Sequence, residues 1–133
     1  MECNKEEAIR AKEIAENKMR NGDFSGARKI APRAHKLYKD LDNITQMLMV
    51  CEVHCGAEQR LLGNEMDWYG ILQIKSRKVD EAAIRKQYRK LALRLHPDKN
   101  KFPGAEAAFK LIGDARVELL DKDKRSLHDS FCK

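Results

Sequence analysis

The chain has 133 residues, a net charge of +6, and 36% charged against 42% hydrophobic residues, which is enough for one ordinary domain or two very small ones. No apolar stretch approaches the ~20 residues that a membrane span requires, and the polar, acidic residues 1–8 lack the apolar segment of a secretory signal. We therefore expect a protein of the cytoplasm or nucleus that does not contact a membrane. Aromatic residues make up only 6% of the chain and alternating β-branched runs are nearly absent, so the predicted fold class is all-α.

The first 58 residues are predicted to form a bundle of three helices. Apolar residues recur there at helical spacing, over residues 4–20, over residues 24–38, and from Leu41 or Asn43 to Cys55. Small residues on the facing sides of the first two helices resemble a tetratricopeptide-like or microtubule-interacting-and-transport-like hairpin. A plain three-helix bundle is the alternative, because one isolated repeat buries little surface.

A proline and a glycine stand at informative places in this unit. Pro32 lies inside the second predicted helix, where it should kink the helix at a cost of about 3 kcal/mol unless packing compensates. Gly56 is predicted to stop the third helix. Residues 59–66 are then the predicted linker to a second unit.

Cysteine and histidine side chains meet on the third predicted helix. Cys51, His54 and Cys55 would share one face of it, which suggests a metal site, but structural zinc needs four ligands and no second ligand pair lies nearby. Buried helix cysteines are the favoured interpretation. No metal or other cofactor is expected.

Four further helices are predicted in the second half of the chain. Asp67 and Asp80 are suitable N-caps for the first two, and a loop of about nine residues should let the second and third pack as an antiparallel hairpin. The four predicted ranges are 68–72, 81–95, 105–120 and 123–129.

The helix predicted over residues 81–95 has two contrasting faces. At about 100° per residue, one face is an apolar stripe of Ile84, Tyr88, Leu91 and Leu95. The other face carries the cations Arg85, Lys86, Arg89, Lys90 and Arg94. Leu93 falls in the middle of the basic face, and we interpret it as an apolar contact ringed by charge. Such a surface fits an acidic protein partner or nucleic acid.

His96, Pro97 and Asp98 follow this helix directly. The proline lacks an N–H and pushes the preceding residue towards extended geometry, so it should end the helix. Two ionisable side chains are then displayed on a stiff turn outside the core. The turn is either a docking point or a catalytic pair.

Five segments of the second half stand in a distinctive order and spacing. They are residues 67–72 (Asp-Trp-Tyr-Gly-Ile-Leu), 84–93 (Ile-Arg-Lys-Gln-Tyr-Arg-Lys-Leu-Ala-Leu), 96–100 (His-Pro-Asp-Lys-Asn), 108–110 (Ala-Phe-Lys) and 121–125 (Asp-Lys-Asp-Lys-Arg). Residues 67–129 thereby resemble the J domain of DnaJ-type co-chaperones. Residues 1–8 and the segment after them are similar to the start of plant DnaJ-type proteins.

The resemblance implies a partner and a role for individual residues. The partner is the ATPase domain of a DnaK-type chaperone of the heat-shock protein 70 class, whose ATP hydrolysis the His-Pro-Asp turn triggers to assist protein folding. The family's docking positions fall on Arg85, Tyr88, Arg89, Lys90 and Leu93. Its trigger falls on His96, Pro97 and Asp98, with Asn100 and Phe109 beside them.

Several positions depart from the pattern usual in that family. Gln73 replaces a turn glycine, Gln87 an alanine, Arg116 an aromatic residue, Glu118 an apolar residue and His128 a tyrosine. Gly113, inside the third of the four helices, should cost about 1 kcal/mol relative to alanine. None of these positions lies in the turn, so they bear on stability rather than on the trigger.

Two other functions, and a role for the first unit, are compatible with parts of the sequence. Nucleic-acid binding through the basic helix fits the charge, but no zinc-finger spacing, stacking platform or helix-turn-helix pair supports base recognition. An enzyme is not favoured, because His96 and Asp98 have neither a nucleophile nor a metal-ligand set beside them. Residues 1–58 could instead recruit unfolded clients or an adaptor target.

Overall fold

The computed structural model describes residues 2–38 and 43–132, and within them it contains helices and no β-strand. The helices are α1 (Glu2–Arg20), α2 (Phe24–Leu37), α3 (Ile44–Glu58), α4 (Trp68–Ile71), α5 (Glu81–Leu95), α6 (Ala105–Leu120) and α7 (Lys122–Phe131). The predicted all-α class is confirmed. None of these helices combines the length and the apolar character that crossing a membrane would demand.

Aspartate side chains cap four of the seven helices. Asp67 accepts from the Gly70 amide at 3.1 Å and Asp80 from the Ala83 amide at 2.8 Å, which confirms both predicted N-caps. Asp23 and Asp121 cap α2 and α7 in the same way. Each such cap contributes about 1 kcal/mol to the stability of its helix.

The first three helices pack in sequence, with α2 between α1 and α3. Pro32 lies inside α2, but the helix continues past it to Leu37 and the proline is exposed to solvent. Of the two predicted starts of the third helix, Leu41 lies outside the described residues. The helix begins at Ile44, after Asn43 in a left-handed conformation with φ 67°.

The predicted end of the third helix at Cys55 is wrong, because α3 continues through Gly56 to Glu58. Gly56 is not a stop signal but a contact point. A Cβ atom at this position would lie only 2.7 Å from the carbonyl oxygen of Gly70. Glycine is therefore required where α3 crosses the backbone of α4.

The larger hydrophobic core extends through both halves of the chain. Helix α3 packs against α4, α5 and α6 as well as against α2. The core includes Met19, Ala27, Met47, Val50 and Val53 from the first three helices, and Ile71, Leu72, Ile84, Leu91, Leu95, Ile112 and Leu119 from the second half of the chain. The two halves are thus joined by buried apolar surface in addition to residues 59–66.

The last helix is tied to the rest by a polar network around Tyr69. The Tyr69 hydroxyl donates to Asp129 at 2.6 Å and accepts from the Arg125 Nε at 2.9 Å. Arg125 also donates to the backbone carbonyls of Arg77 and Val79. Burial, reinforced by the bond to Asp129, raises the pKa of Tyr69 to about 12, so the hydroxyl stays protonated and the network intact at neutral pH.

His128 should make the stability of the protein depend on pH. The residue is only 5% exposed, and its Nε2 atom has no hydrogen-bond partner among the described residues. Burial lowers its pKa from 6.5 despite nearby acidic side chains. The imidazole therefore takes up a proton more readily in the unfolded chain than in the folded one. The stability that neutral His128 contributes is complete above pH 6.5 and is lost as the pH falls through the lowered pKa of the folded state.

We therefore expect His128→Phe to weaken this pH dependence. The phenyl ring preserves packing beside Tyr69, whose ring centroid lies 5.5 Å from that of His128, but cannot take up a proton. Urea unfolding at about pH 7.5 and pH 5 should show a smaller loss of stability for the variant. His35→Phe, at an exposed position on α2, is the control, and an equal loss in wild type and His128→Phe would contradict the assignment.

Candidate partner-binding site

Helix α5 separates an apolar face from a charged one, as predicted. Ile84, Leu91 and Leu95 are buried in the core. Arg85, Arg89, Lys90 and Leu93 are exposed, and Leu93 shows 68% of its surface to solvent. An isolated exposed leucine is common, but this one stands among cations and next to the turn.

The cations of α5 differ in how they are paired. The Arg85 guanidinium lies 3.7 Å from the carboxylate of Glu81 on the preceding turn of the helix. Arg89 and Lys90 lie more than 4.0 Å from every carboxylate of residues 4–38 and 43–132. Their charge is not neutralised by this part of the molecule and is available to an external anion or acidic surface.

Tyr88 occupies the border between the two faces. It is half-buried and packs against the core, and the Arg116 guanidinium lies 5.3 Å from its ring centroid. An exposed contact of this kind is worth about 0.5–1 kcal/mol. Arg116 thus covers the tyrosine ring from α6.

The turn after α5 has the geometry that the proline predicts. His96 leaves the helix with φ −55° and ψ 128°, and its carbonyl accepts from the amides of Lys99 and Asn100 at 2.9 and 2.8 Å. The His96 Nδ1 atom accepts from the Asp98 amide at 3.2 Å and lies 3.7 Å from the Asp98 carboxylate. Asp98 keeps 86% of its side chain exposed, so the carboxylate points outward from a fixed turn.

The imidazole of His96 is held by an aromatic side chain from the other arm of the hairpin. The ring of Phe109 on α6 meets it edge to face, with the centroids 5.5 Å apart. These two rings, Leu93, Arg89 and Asp98 surround an open cavity of about 410 Å³. An apolar side chain of a partner could enter this cavity between a cation and a carboxylate.

Asn100 lies in a different environment from the other predicted site residues. It is only 2% exposed, and its side-chain amide donates to the carbonyls of Arg94 at 3.0 Å and Gln46 at 3.3 Å. It therefore fastens the loop to the end of α5 and to α3. Direct contact with a partner would require the loop to open.

Three residues next to this loop were not predicted as part of the site. Gln46, His54 and Phe24 contact it from α3 and α2. The only signal in the sequence was the unusual grouping of His54 with Cys51 and Cys55, which pointed to a metal. In the structure both cysteines are buried, and burial raises the pKa of Cys51 to about 12.

Two residues that depart from the family pattern make compensating hydrogen bonds. Gln73 has a φ of 59°, a left-handed backbone conformation that favours glycine, and its side-chain amide donates to the carbonyls of Glu52 at 3.1 Å and Gly70 at 3.0 Å. Gln87 donates to the Leu72 carbonyl at 2.9 Å. The first of these bonds links the loop after α4 to α3.

Comparison with known proteins identifies the second half of the chain. A family model described as the DnaJ domain matches residues 67–129. The chain is 51% identical over 65 residues to DnaJ protein homolog 1 of Drosophila melanogaster and to the chaperone protein DnaJ of Methanosarcina thermophila, which covers 49% of this chain and 19% and 16% of those proteins. It is 44% identical over 80 residues to DnaJ homolog subfamily C member 18 of Homo sapiens, covering 56% of this chain and 22% of that protein.

The chain thus spans less than a quarter of the length of these relatives, and no solved structure matches it significantly. The resemblance of the first residues to plant DnaJ-type proteins stays a prediction. The matched residues span α4, α5, α6 and most of α7. Residues 67–129 of this chain are a J domain.

Proposed function

We propose that the protein is a co-chaperone that binds the ATPase domain of a DnaK-type chaperone of the heat-shock protein 70 class and stimulates its ATP hydrolysis, thereby assisting protein folding. The observation that carries the proposal is the continuity of one surface. The cations Arg89 and Lys90, the exposed Leu93 and the turn with His96 and Asp98 lie side by side at one end of the α5–α6 hairpin.

Each part of this surface has a distinct physical task in the proposed complex. The cations of α5 attract an acidic surface from a distance and orient the encounter. Leu93 and the cavity beside Phe109 supply apolar contact once water has been displaced. Asp98, exposed and fixed on the turn, can accept hydrogen bonds from the partner.

The J domain itself does no chemistry in this proposal. His96 and Asp98 act on the partner by binding a particular state of the ATPase, which favours the conformation in which ATP is hydrolysed. Residues 1–58 are available to recruit a client or an adaptor target, with Ile9 and Ile14 of α1 38% and 44% exposed.

The test is single-turnover ATP hydrolysis by a DnaK-type chaperone at rising concentrations of the full chain. We expect saturable acceleration, half-saturated at higher concentration as salt is added. Arg89→Ala should raise the half-saturating concentration about two- to tenfold at low salt, a typical size for one charge contact, and leave maximal acceleration unchanged.

Arg33→Ala, on the exposed side of α2, is the matched control and should have no effect. No acceleration by the wild-type chain would refute the proposed function, and insensitivity to salt would refute the electrostatic docking. A parallel titration with random duplex DNA at low salt addresses the nucleic-acid alternative, since binding there would favour it.

A further inference from the structure

The loop between α5 and α6 is held by the first half of the chain at the end next to α6. The His54 Nε2–H on α3 donates to the Gly104 carbonyl at 2.8 Å, and the Phe24 ring of α2 stacks on His54, with centroids 3.8 Å apart and planes 6° apart. Lys12 of α1 places its ammonium 5.6 Å from the centroid of the Phe102 ring. Helices α1, α2 and α3 all reach this loop.

Gly104 shows how closely these groups approach. Its φ is +86°, and a Cβ atom there would lie 2.7 Å from Phe24 Cζ and 2.9 Å from His54 Nε2. The glycine thus provides both the left-handed backbone that begins α6 and the space for the two rings. The two rings therefore pack closely against Gly104, the last residue of the loop.

The end of the loop next to α5 is connected to α3 through Asn100, which makes one hydrogen bond to α3 and one to His96. The Gln46 carbonyl on α3 accepts from the Asn100 side chain at 3.3 Å, and the Asn100 backbone N–H donates to the His96 carbonyl at 2.8 Å. Asn100 is buried, so water competes poorly for these bonds. The trigger residue is thereby connected to a helix outside the J domain.

We propose that α3 positions the His96-Pro97-Asp98 turn, with His54 and Gln46 as positioning residues that act through Gly104 and Asn100. A loop fixed at both ends presents the turn in one orientation, so that in the bound complex the turn meets the partner's ATPase in the geometry that acts on it. The consequence for catalysis rests on the proposed function, whereas the ordering of the loop does not. The cations of α5 lie outside these contacts, so positioning and docking are separable.

Amide hydrogen exchange tests the ordering directly in the full-length chain. The reporters are the Lys99 and Asn100 amides, which both donate to the His96 carbonyl. His54→Ala removes one hydrogen bond and one stacked ring, and it should accelerate exchange at both reporters about five- to a hundredfold. His35→Ala, an exposed histidine on α2, should leave exchange unchanged.

Two conservative variants separate the hydrogen bond from the stacking. His54→Gln retains an N–H donor at about the same distance from the backbone and should restore most of the protection at Lys99 and Asn100. His54→Phe retains a ring against Phe24 but has no donor, and it should restore less. Circular dichroism would show whether either variant fails to fold. The other variant would still show whether the hydrogen bond to Gly104 or the stacking on Phe24 orders the loop.

The stimulation assay adds a readout that general destabilisation would not give. His54→Ala should lower the maximal rate of stimulated hydrolysis at least about twofold, with the half-saturating concentration unchanged, which is the reverse of Arg89→Ala. Unchanged exchange in His54→Ala would overturn the proposal, and so would a change in half-saturation without a change in maximal rate. If wild type fails to stimulate hydrolysis, the proposed function fails, while the exchange measurement still decides whether α3 orders the turn.

Discussion

His96→Gln is expected to reduce stimulated ATP hydrolysis by a DnaK-type chaperone to the chaperone's basal rate. The imidazole is the part of the turn that contacts Phe109 edge to face and lies 3.7 Å from Asp98. Glutamine provides neither an aromatic ring nor the two ring nitrogens of an imidazole. Whatever the partner recognises in this ring is lost, while the backbone of the turn is kept.

The structure also explains why the fold should tolerate this substitution. The two backbone hydrogen bonds that close the turn use the His96 carbonyl, which accepts from Lys99 and Asn100 and is the same in glutamine. The substitution removes one exposed bond, from the Asp98 amide to the imidazole Nδ1. About half of the His96 side chain is exposed. We therefore expect the free energy of unfolding to change by about 1 kcal/mol at most and the helix content to be unchanged.

The decisive measurement is single-turnover hydrolysis together with circular dichroism on the same preparation. His35→Gln, in the first half of the chain and exposed, controls for the loss of a histidine. A fully active His96→Gln protein would show that the turn does not act through its imidazole, even if the chain is a co-chaperone.

Local signals were sufficient to predict the elements that carry the site. Pro97 ends α5 because of its own covalent structure, and Asp67 and Asp80 cap helices through bonds to amides three residues away. The apolar stripe of α5 is a consequence of its spacing. The caps and the end of α5 are each decided within about one turn of helix, and the stripe lies within a single helix, so the sequence alone was enough.

Contacts between distant segments could not be predicted in the same way. His54 and Gly104 are fifty residues apart, and nothing near either one indicates the other. Gln73 departs from the family pattern as a left-handed non-glycine residue, but its side chain bonds to the Glu52 carbonyl on α3. Gly56 was wrongly predicted to end α3, because the residue that it contacts, Gly70, lies fourteen residues further along the chain.

Gly56→Ala and Gly113→Ala are expected to change stability in opposite directions, although both replace a glycine inside a helix. Alanine is favoured over glycine in a helix by about 1 kcal/mol. At Gly113 on α6 no atom of a neighbouring element lies within 4 Å of the added methyl group among the described residues, so the full gain should appear. Gly113→Ala should therefore raise the free energy of unfolding by about 1 kcal/mol.

At Gly56 the same methyl group would lie 2.7 Å from the Gly70 carbonyl oxygen and 2.9 Å from its carbonyl carbon. Backbone atoms cannot turn away as a flexible side chain can, so α3 and α4 must separate, and the shared core between the two halves must loosen with them. Overpacking of this kind typically costs about 1–3 kcal/mol, which exceeds the helical gain. Urea unfolding should give a lower midpoint for Gly56→Ala than for wild type. A midpoint raised equally by both variants would mean that Gly56 makes no close contact with α4 and that the two halves of the chain are not packed against each other there.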